Sequence, residues 1–130
     1  MIKSKEQERA KKAWELANAV PDSIIGKYAS LAKSAPIMIL TNGLGQTLAF
    51  FISKSNKRNE YNLLYQHIRE WLDQNISWAS NDEIGNDLIE KVINENSQIY
   101  RMVTEETLAF LSWIKRFATA LAPDTEELDK

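Results

Sequence analysis

The apolar positions of this chain are most concentrated in residues 36–53, a segment with two glycines and no charged side chain. Its large apolar residues recur at steps of three and four, which is the spacing of one helix face, and strict alternation fails there. They are Ile37, Leu40, Leu44, Leu48 and Phe51. We therefore predict a central buried helix over 36–53. The alternative is a β-hairpin, because Asn42-Gly43 is a strong hairpin dipeptide.

A second stripe of small and polar residues runs along the same predicted helix. It consists of Asn42, Gly45, Gln46, Ala49 and Ser53. We expect this stripe to let another backbone approach closely, which would offset the cost of about 1 kcal/mol for each glycine inside a helix.

Helical spacing of apolar residues recurs along the rest of the chain. The other predicted helices cover residues 3–20, 24–33, 60–78 and 82–94, and a last one begins near 104, or a turn or two earlier, and ends before Pro123. Pro36 is predicted to open the central helix after a break, because proline suits a first turn. The sequence thus predicts an all-α, compact helical bundle of about five to six helices, with a single domain over 1–122 and an acidic, disordered tail over 123–130.

The composition supports a globular protein of the cytoplasm. Of the 130 residues, 44% are apolar and 26% are charged, as in ordinary soluble domains. The chain has no cysteine, and its N-terminal residues lack an apolar secretory segment, so we expect no disulfide framework and a cytoplasmic location. The longest uncharged run, 34–53, is interrupted by polar residues and glycines, which favours a core helix over a membrane span.

Charge is distributed unevenly along the sequence. Residues 1–58 hold ten Lys and Arg against four Asp and Glu, whereas 59–130 hold six against fourteen, although the net charge is only −2. This asymmetry predicts a surface with a basic side that can meet phosphate. The alternative is that these charges only solvate helix faces.

Several cations are candidates for contact with nucleic-acid phosphates, by charge and location alone. They are Arg9, Lys12, Lys33, Lys54, Lys57, Arg58, Lys115 and Arg116. For Lys12, the alternative is an i,i+4 pair with Glu8 that only supports its helix. For Lys33 and Lys54, it is the favourable position of a cation at a helix C-terminus.

Catalytic arrangements are missing from the sequence. The chain has a single histidine, His67, which is expected to pack on the flank of a core face. Glu105 and Glu106 are adjacent on a helix and point about 100° apart, so they cannot close on one substrate. Gly43-Leu44-Gly45 lacks the strand and the longer fingerprint of a phosphate loop. We predict that the protein is not an enzyme and has no metal site and no cofactor.

Four segments of the sequence have a familiar pattern. They are KYxSLAK at 27–33, NGLGQTLAF at 42–50, YxxLY at 61–65 followed by WL at 71–72, and TEETLAFL at 104–111 followed by WIKRFA at 113–118. In this order, over most of 4–121, they resemble the small subunit of the type III-B CRISPR effector, the Cmr complex. The segment 80–97 and the tail have no part in the resemblance.

The resemblance implies a non-catalytic, all-helical subunit of an RNA-guided antiviral effector. Such subunits stack in several copies along a filament, beside the larger backbone subunit, and help to hold single-stranded target RNA against the guide RNA. Sequence is then read by guide pairing, and protein grips the RNA backbone. The implied partners are other subunits, further copies of the chain and RNA, with no membrane. The alternative is a pure protein scaffold without nucleic-acid contact.

Overall fold

The predicted helical periodicity is realised in residues 3–78 and 87–123, the part of the chain that the computed structural model describes. These residues form six helices and no strand. The helices are α1 (Lys5–Asn18), α2 (Ile25–Asn42), α3 (Leu44–Lys54), α4 (Asn59–Asn75), α5 (Leu88–Ile93) and α6 (Ser97–Leu121). The all-α prediction is confirmed, and the hairpin alternative at Asn42-Gly43 is wrong.

Helix α1 begins at a capping box. The Ser4 hydroxyl accepts from the Gln7 backbone N–H at 3.1 Å, and the Gln7 side chain accepts from the Ser4 N–H at 2.8 Å. Two otherwise unpaired donors of the first turn are thereby satisfied. The helix buries Ala13, Leu16 and Ala17.

The predicted central helix is in fact parts of two helices. Helix α2 runs without a break through Pro36 and ends at Asn42, and α3 starts at Leu44. The predicted break at 34–36 and the predicted helix bounds 36–53 are therefore wrong. Proline inside a helix costs about 3 kcal/mol. Ala35 and Ile39 are buried on either side of Pro36, and this packing keeps the helix continuous.

Gly43 forms the junction between α2 and α3. Its backbone has φ 90° and ψ 160°, a region that is essentially restricted to glycine. The Gly43 N–H donates to the Ile39 carbonyl at 2.8 Å, and the Gly43 carbonyl accepts from the Thr47 hydroxyl at 2.9 Å. One residue therefore ends the first helix and begins the second.

The move of the break from Pro36 to Gly43 changes which apolar residues are buried. Leu44, Leu48 and Phe51 are buried as predicted. Ile37 and Leu40, the first two residues of the predicted core stripe, are 67% and 74% exposed. The apolar face of α2 lies on another side of the helix, so this part of the prediction is wrong.

The predicted small-residue stripe does not admit a second backbone. Asn42, Gln46, Ala49 and Ser53 are exposed. Gly45 alone meets a neighbour, because its N–H donates to the Tyr100 hydroxyl of α6 at 2.8 Å. A Cβ on Gly45 would lie 3.3 Å from that hydroxyl oxygen, so the glycine makes room for a tyrosine hydroxyl.

Helix α6 is the element around which the bundle packs. It is 25 residues long, begins two turns before Thr104, and makes its largest contacts with α1 and α2. The Asn96 side chain caps it by accepting from the Ile99 N–H at 2.9 Å. Its buried residues are Val103, Thr107, Phe110, Leu111, Ile114 and Ala118.

Helices α4 and α5 close the other side of the core. The Tyr65 hydroxyl of α4 donates to the Asp87 carboxylate at 2.8 Å, and that carboxylate caps α5. Of the predicted helix 82–94, residues 82–86 lie outside the described part of the chain. The same holds for 124–130, which make up nearly all of the predicted tail.

Candidate nucleic-acid interface

Arg9, a predicted phosphate ligand, forms an ion pair inside the bundle. Its Nε and Nη2 donate to the two carboxylate oxygens of Glu106 at 2.6 and 2.8 Å, and Trp71 Nε1 donates to the same carboxylate at 2.9 Å. The side chains of Arg9 and Glu106 are only 22% and 13% exposed. A bidentate arginine in this setting is engaged with its partner and is a poor choice for an external phosphate.

The pKa values of this pair reflect the same contact. Burial raises the pKa of Glu106, but the hydrogen bonds from Arg9 and Trp71 bring it below its usual value. The hydrogen bond to Glu106 raises the pKa of Arg9 further above its usual value, against the opposing effect of burial. Both groups are therefore charged at neutral pH.

Lys12 is also paired, but with a residue that the sequence did not indicate. Its Nζ lies 2.8 Å from Glu70 Oε1 on α4. Glu8, the expected i,i+4 partner of Lys12, instead lies 3.8 Å from Lys5. The cationic flank of α1 thus meets carboxylates of α4 and α6, which sequence spacing alone cannot reveal.

Lys33, Lys115 and Arg116 come together on the surface between α2 and α6. With Thr119 and Ala120 they line an open depression of about 620 Å³. None of the three cations forms an ion pair within the described residues. We refer to Lys33, Lys115 and Arg116 as the α2–α6 patch. Positive charge gathered without a nearby carboxylate attracts anions.

Lys57 and Arg58 lie at a separate place, on the rim of a groove between α2 and the start of α4. This α2–α4 groove has a volume of about 1060 Å³, and its other lining residues include Lys27, Met38, Glu60 and Tyr61. Lys27 is not among the cations predicted from the sequence, since no local pattern distinguishes it. Only the fold of the 55–58 turn against α2 brings it beside Lys57 and Arg58.

Lys54 has a different environment from the other candidates. Its Nζ lies 5.5 Å from the centroid of the Phe50 ring, a cation–π contact within its own helix. Of the eight predicted cations, the structure therefore gathers three in the α2–α6 patch and two on the groove rim. It places Arg9 and Lys12 in ion pairs and Lys54 over an aromatic ring.

His67 was predicted to pack on the flank of a core face, and the structure buries it more deeply, with 6% exposure. Its Nδ1 lies 2.7 Å from the Tyr28 hydroxyl, and the two rings meet edge to face. Burial lowers the pKa of His67 to about 4 and also raises that of Tyr28. The imidazole is therefore neutral at pH 7 and ties α4 to α2.

Metal ligands do not gather in the described residues, which contain no group of three or more His, Asp or Glu side chains placed to hold an ion. Within residues 3–78 and 87–123, no helix combines the length and the apolar character that a membrane crossing requires.

One known protein family matches the sequence of the whole helical bundle. A family model described as CRISPR-associated protein (Cas_Cmr5) matches residues 5–121. The match extends from the first residue of α1 to the last residue of α6. It confirms the resemblance found in the NGLGQTLAF and TEETLAFL segments. The chain therefore belongs to the Cas_Cmr5 family of CRISPR-associated proteins and is a subunit of the Cmr complex.

Proposed function

We propose that this chain is a non-catalytic small subunit that grips the backbone of single-stranded target RNA and of guide RNA. The contacts are made by the α2–α6 patch and by Lys57 and Arg58. In this proposal the subunit acts in the cytoplasm in antiviral defence, stacked in several copies beside the backbone subunit of the filament.

The observation that carries the proposal is the α2–α6 patch. Three cations lie around one open depression, and within the described residues no carboxylate pairs with them. Bringing like charges together is unfavourable unless water or an anion screens them. A polyanionic backbone running across α2 and α6 would remove that repulsion and release counterions.

The environment of His67 supports a non-catalytic role. The single histidine of the chain is buried against Tyr28, and burial keeps it neutral. A general base needs access to substrate and a pKa near the working pH. His67 meets neither requirement.

The proposal is tested by charge reversal in the α2–α6 patch. We expect the triple variant Lys33→Glu/Lys115→Glu/Arg116→Glu to bind a seven-nucleotide uridine RNA at least about tenfold more weakly. The slope of the logarithm of the binding constant against the logarithm of the salt concentration should flatten by about 2, because each of three phosphate contacts contributes about 0.7. Fluorescence anisotropy at several salt concentrations measures both.

The matched control carries the same change in net charge at exposed cations elsewhere, as Lys3→Glu/Lys11→Glu/Arg101→Glu. We expect this control to lose less affinity than the patch variant and to keep most of the salt slope. Equal losses in the two variants would mean that only net charge matters. RNA binding that ignores salt would contradict the proposal.

A protein scaffold without RNA contact is the second candidate function. It is favoured by Ile37 and Leu40, which are highly exposed and share the outer face of α2 with Lys33 at i, i+4 and i+7. Exposed apolar side chains beside a cation suit a protein surface with acidic residues. Reversing the charges of Lys57/Arg58 and Lys115/Arg116 separates the two functions. The scaffold predicts lost assembly, whereas the RNA-gripping subunit predicts intact assembly with weakened target capture.

A further inference from the structure

The α2–α4 groove is lined by a largely buried glutamate, Glu60, whose carboxylate has no partner within the described residues. Glu60 lines the groove and is only 7% exposed. Within the described residues it forms neither an ion pair nor a hydrogen bond, although Lys57 and Arg58 are close in sequence. Glu60 lies in the first turn of α4, where the positive end of the helix favours an acidic residue. This general attraction does not give the carboxylate a side-chain hydrogen-bond donor. An acceptor in this state is suited to receive donors from a ligand.

The groove changes in character from its floor to its rim. Its deeper lining includes Leu31, Met38 and Tyr61, which are buried or half-buried. The Tyr61 ring is held by edge contacts with Phe50 and Phe51, with both centroids 5.7 Å away. An aromatic ring fixed in this way beside a cavity is a platform on which a nucleobase can stack.

The rim carries the positive charge. Lys27, Lys57 and Arg58 are exposed and lie around the groove without an ion pair in the described ranges. The N-cap residue of α4 is Arg58, and no side chain caps that helix end. Three cations and an uncapped helix N-terminus together provide donors for a phosphate group.

We propose that the α2–α4 groove binds a guanine nucleotide. The base lies in the deeper part against Tyr61 and Met38. Its N1–H and its N2 amino group donate to the two carboxylate oxygens of Glu60. The phosphate lies at the rim, near Lys27, Lys57 and Arg58. Where the nucleotide belongs to RNA, this inference rests on the proposed function and adds one base-reading pocket to it.

Guanine is the base that fits an unpaired carboxylate. A carboxylate only accepts hydrogen bonds, and its two oxygens match two adjacent donors. Guanine presents two adjacent donors, N1–H and the N2 amino group, beside its O6 acceptor. The Watson–Crick edges of adenine, cytosine and uracil have no two adjacent donors. A free phosphate would be repelled by Glu60, so a bare anion site does not account for this residue.

The volume of the groove allows a ligand of this size. Small-molecule pockets in proteins usually measure about 300–1,000 Å³. The groove, at about 1060 Å³, is slightly larger than this range. It can therefore take a base, a ribose and a phosphate together.

Binding of free mononucleotides is the first test. Calorimetry or NMR titration of the intact chain at low salt should give 5′-GMP an affinity at least tenfold, roughly, above those of AMP, CMP and UMP. Glu60→Gln should abolish this preference, because an amide presents one acceptor and one donor group. The control Glu105→Gln removes an exposed carboxylate of α6 and should leave the preference unchanged.

A measurement on the wild-type chain covers the case in which Glu60→Gln fails to fold. Addition of GMP should shift the backbone amide resonances of Gly26 and Tyr61, and guanosine without phosphate should bind more weakly. Equal binding of the four mononucleotides, or a GMP preference that survives in folded Glu60→Gln, would overturn the inference.

Short RNAs distinguish a free nucleotide from a residue of a strand. A seven-nucleotide uridine RNA with guanosine at its centre should bind more tightly than the all-uridine RNA if the groove reads RNA. If GMP binds as tightly as the guanosine RNA, the ligand is a free nucleotide. If the wild-type chain does not bind the all-uridine RNA, that result counts against the proposed function alone. The groove is then still tested by the preference for GMP over the other mononucleotides.

Discussion

The carboxylate of Glu106 accepts three hydrogen bonds, two from Arg9 on α1 and one from Trp71 on α4. At 13% exposure it would lose much of its hydration without regaining donors if either partner were removed. Arg9 is thus a structural residue, because its removal would leave the Glu106 carboxylate with too few hydrogen-bond donors.

Replacing Arg9 should therefore destabilise the fold. We expect Arg9→Ala to lower the free energy of unfolding by about 2 kcal/mol or more, because Glu106 stays behind in a partly buried site. Urea denaturation at pH 7 measures the change. Adding Glu106→Gln should restore part of the loss, so the double variant should cost less than the sum of the two single changes.

The control for Arg9→Ala is Lys11→Ala, on the same helix but exposed. This change should stay within about 0.5 kcal/mol. Equal effects of the two substitutions would mean that the pair with Glu106 contributes nothing measurable.

Charge in a sequence identifies cations but not their partners. Arg9 and Arg116 look equivalent as candidates, yet one faces a carboxylate 97 residues away and the other lies in an open depression. The placement of Lys27 beside Lys57 has the same origin. Such pairings depend on how the helices pack, so they could not be predicted from spacing along the chain.

At the scale of the helices, Gly43 determines where α2 ends and α3 begins. Two potential breakers, Pro36 and Gly43, lie seven residues apart in one apolar segment. Each disturbs a helix locally, and tertiary packing decides between them. The helical nature of the segment was predictable from the spacing of Leu44, Leu48 and Phe51. The exposure of Ile37 and Leu40 was not, because it depends on which side of α2 its neighbours cover.

Substitution of the junction glycine tests this account. Gly43→Ala should lower the free energy of unfolding by about 1–3 kcal/mol, since a Cβ is strained at φ 90° and ψ 160°. Thermal and urea unfolding both report the change. The control is Gly26→Ala in α2, where no atom lies within 4 Å of the new Cβ and alanine should be neutral or slightly stabilising. An unchanged free energy of unfolding in Gly43→Ala would contradict the expectation that alanine is strained at this position.

At the scale of the whole molecule, stability should depend on pH through His67. Burial lowers the pKa of His67 to about 4 in the folded chain, against an ordinary value of 6.5 for histidine. Between these values the unfolded chain binds a proton that the folded chain does not. The contribution of neutral His67 to the free energy of unfolding is therefore fully present above pH 6.5 and is lost as the pH drops towards 4.

We expect the free energy of unfolding to decrease by about 2 kcal/mol from pH 7.5 to pH 5, because one pKa unit corresponds to about 1.4 kcal/mol. Glu106, whose pKa is lowered, loses its contribution only below this window. His67→Gln should flatten the profile between pH 7.5 and 5, whatever its stability at neutral pH. Urea titrations at five pH values measure the slope. An unchanged slope in His67→Gln would assign the acid sensitivity to other groups.

The contact between α1 and α6 has a consequence for how the chain is made. Arg9 and Glu106 are 97 residues apart, and the apolar face of α1 packs mainly on α6. Ribosomes add about 5–20 residues per second, so α6 is synthesised several seconds after Ala13 and Leu16 of α1. During synthesis the first helix is therefore an uncovered amphipathic segment. The contacts between α1 and α6 can form only after α6 has left the exit tunnel.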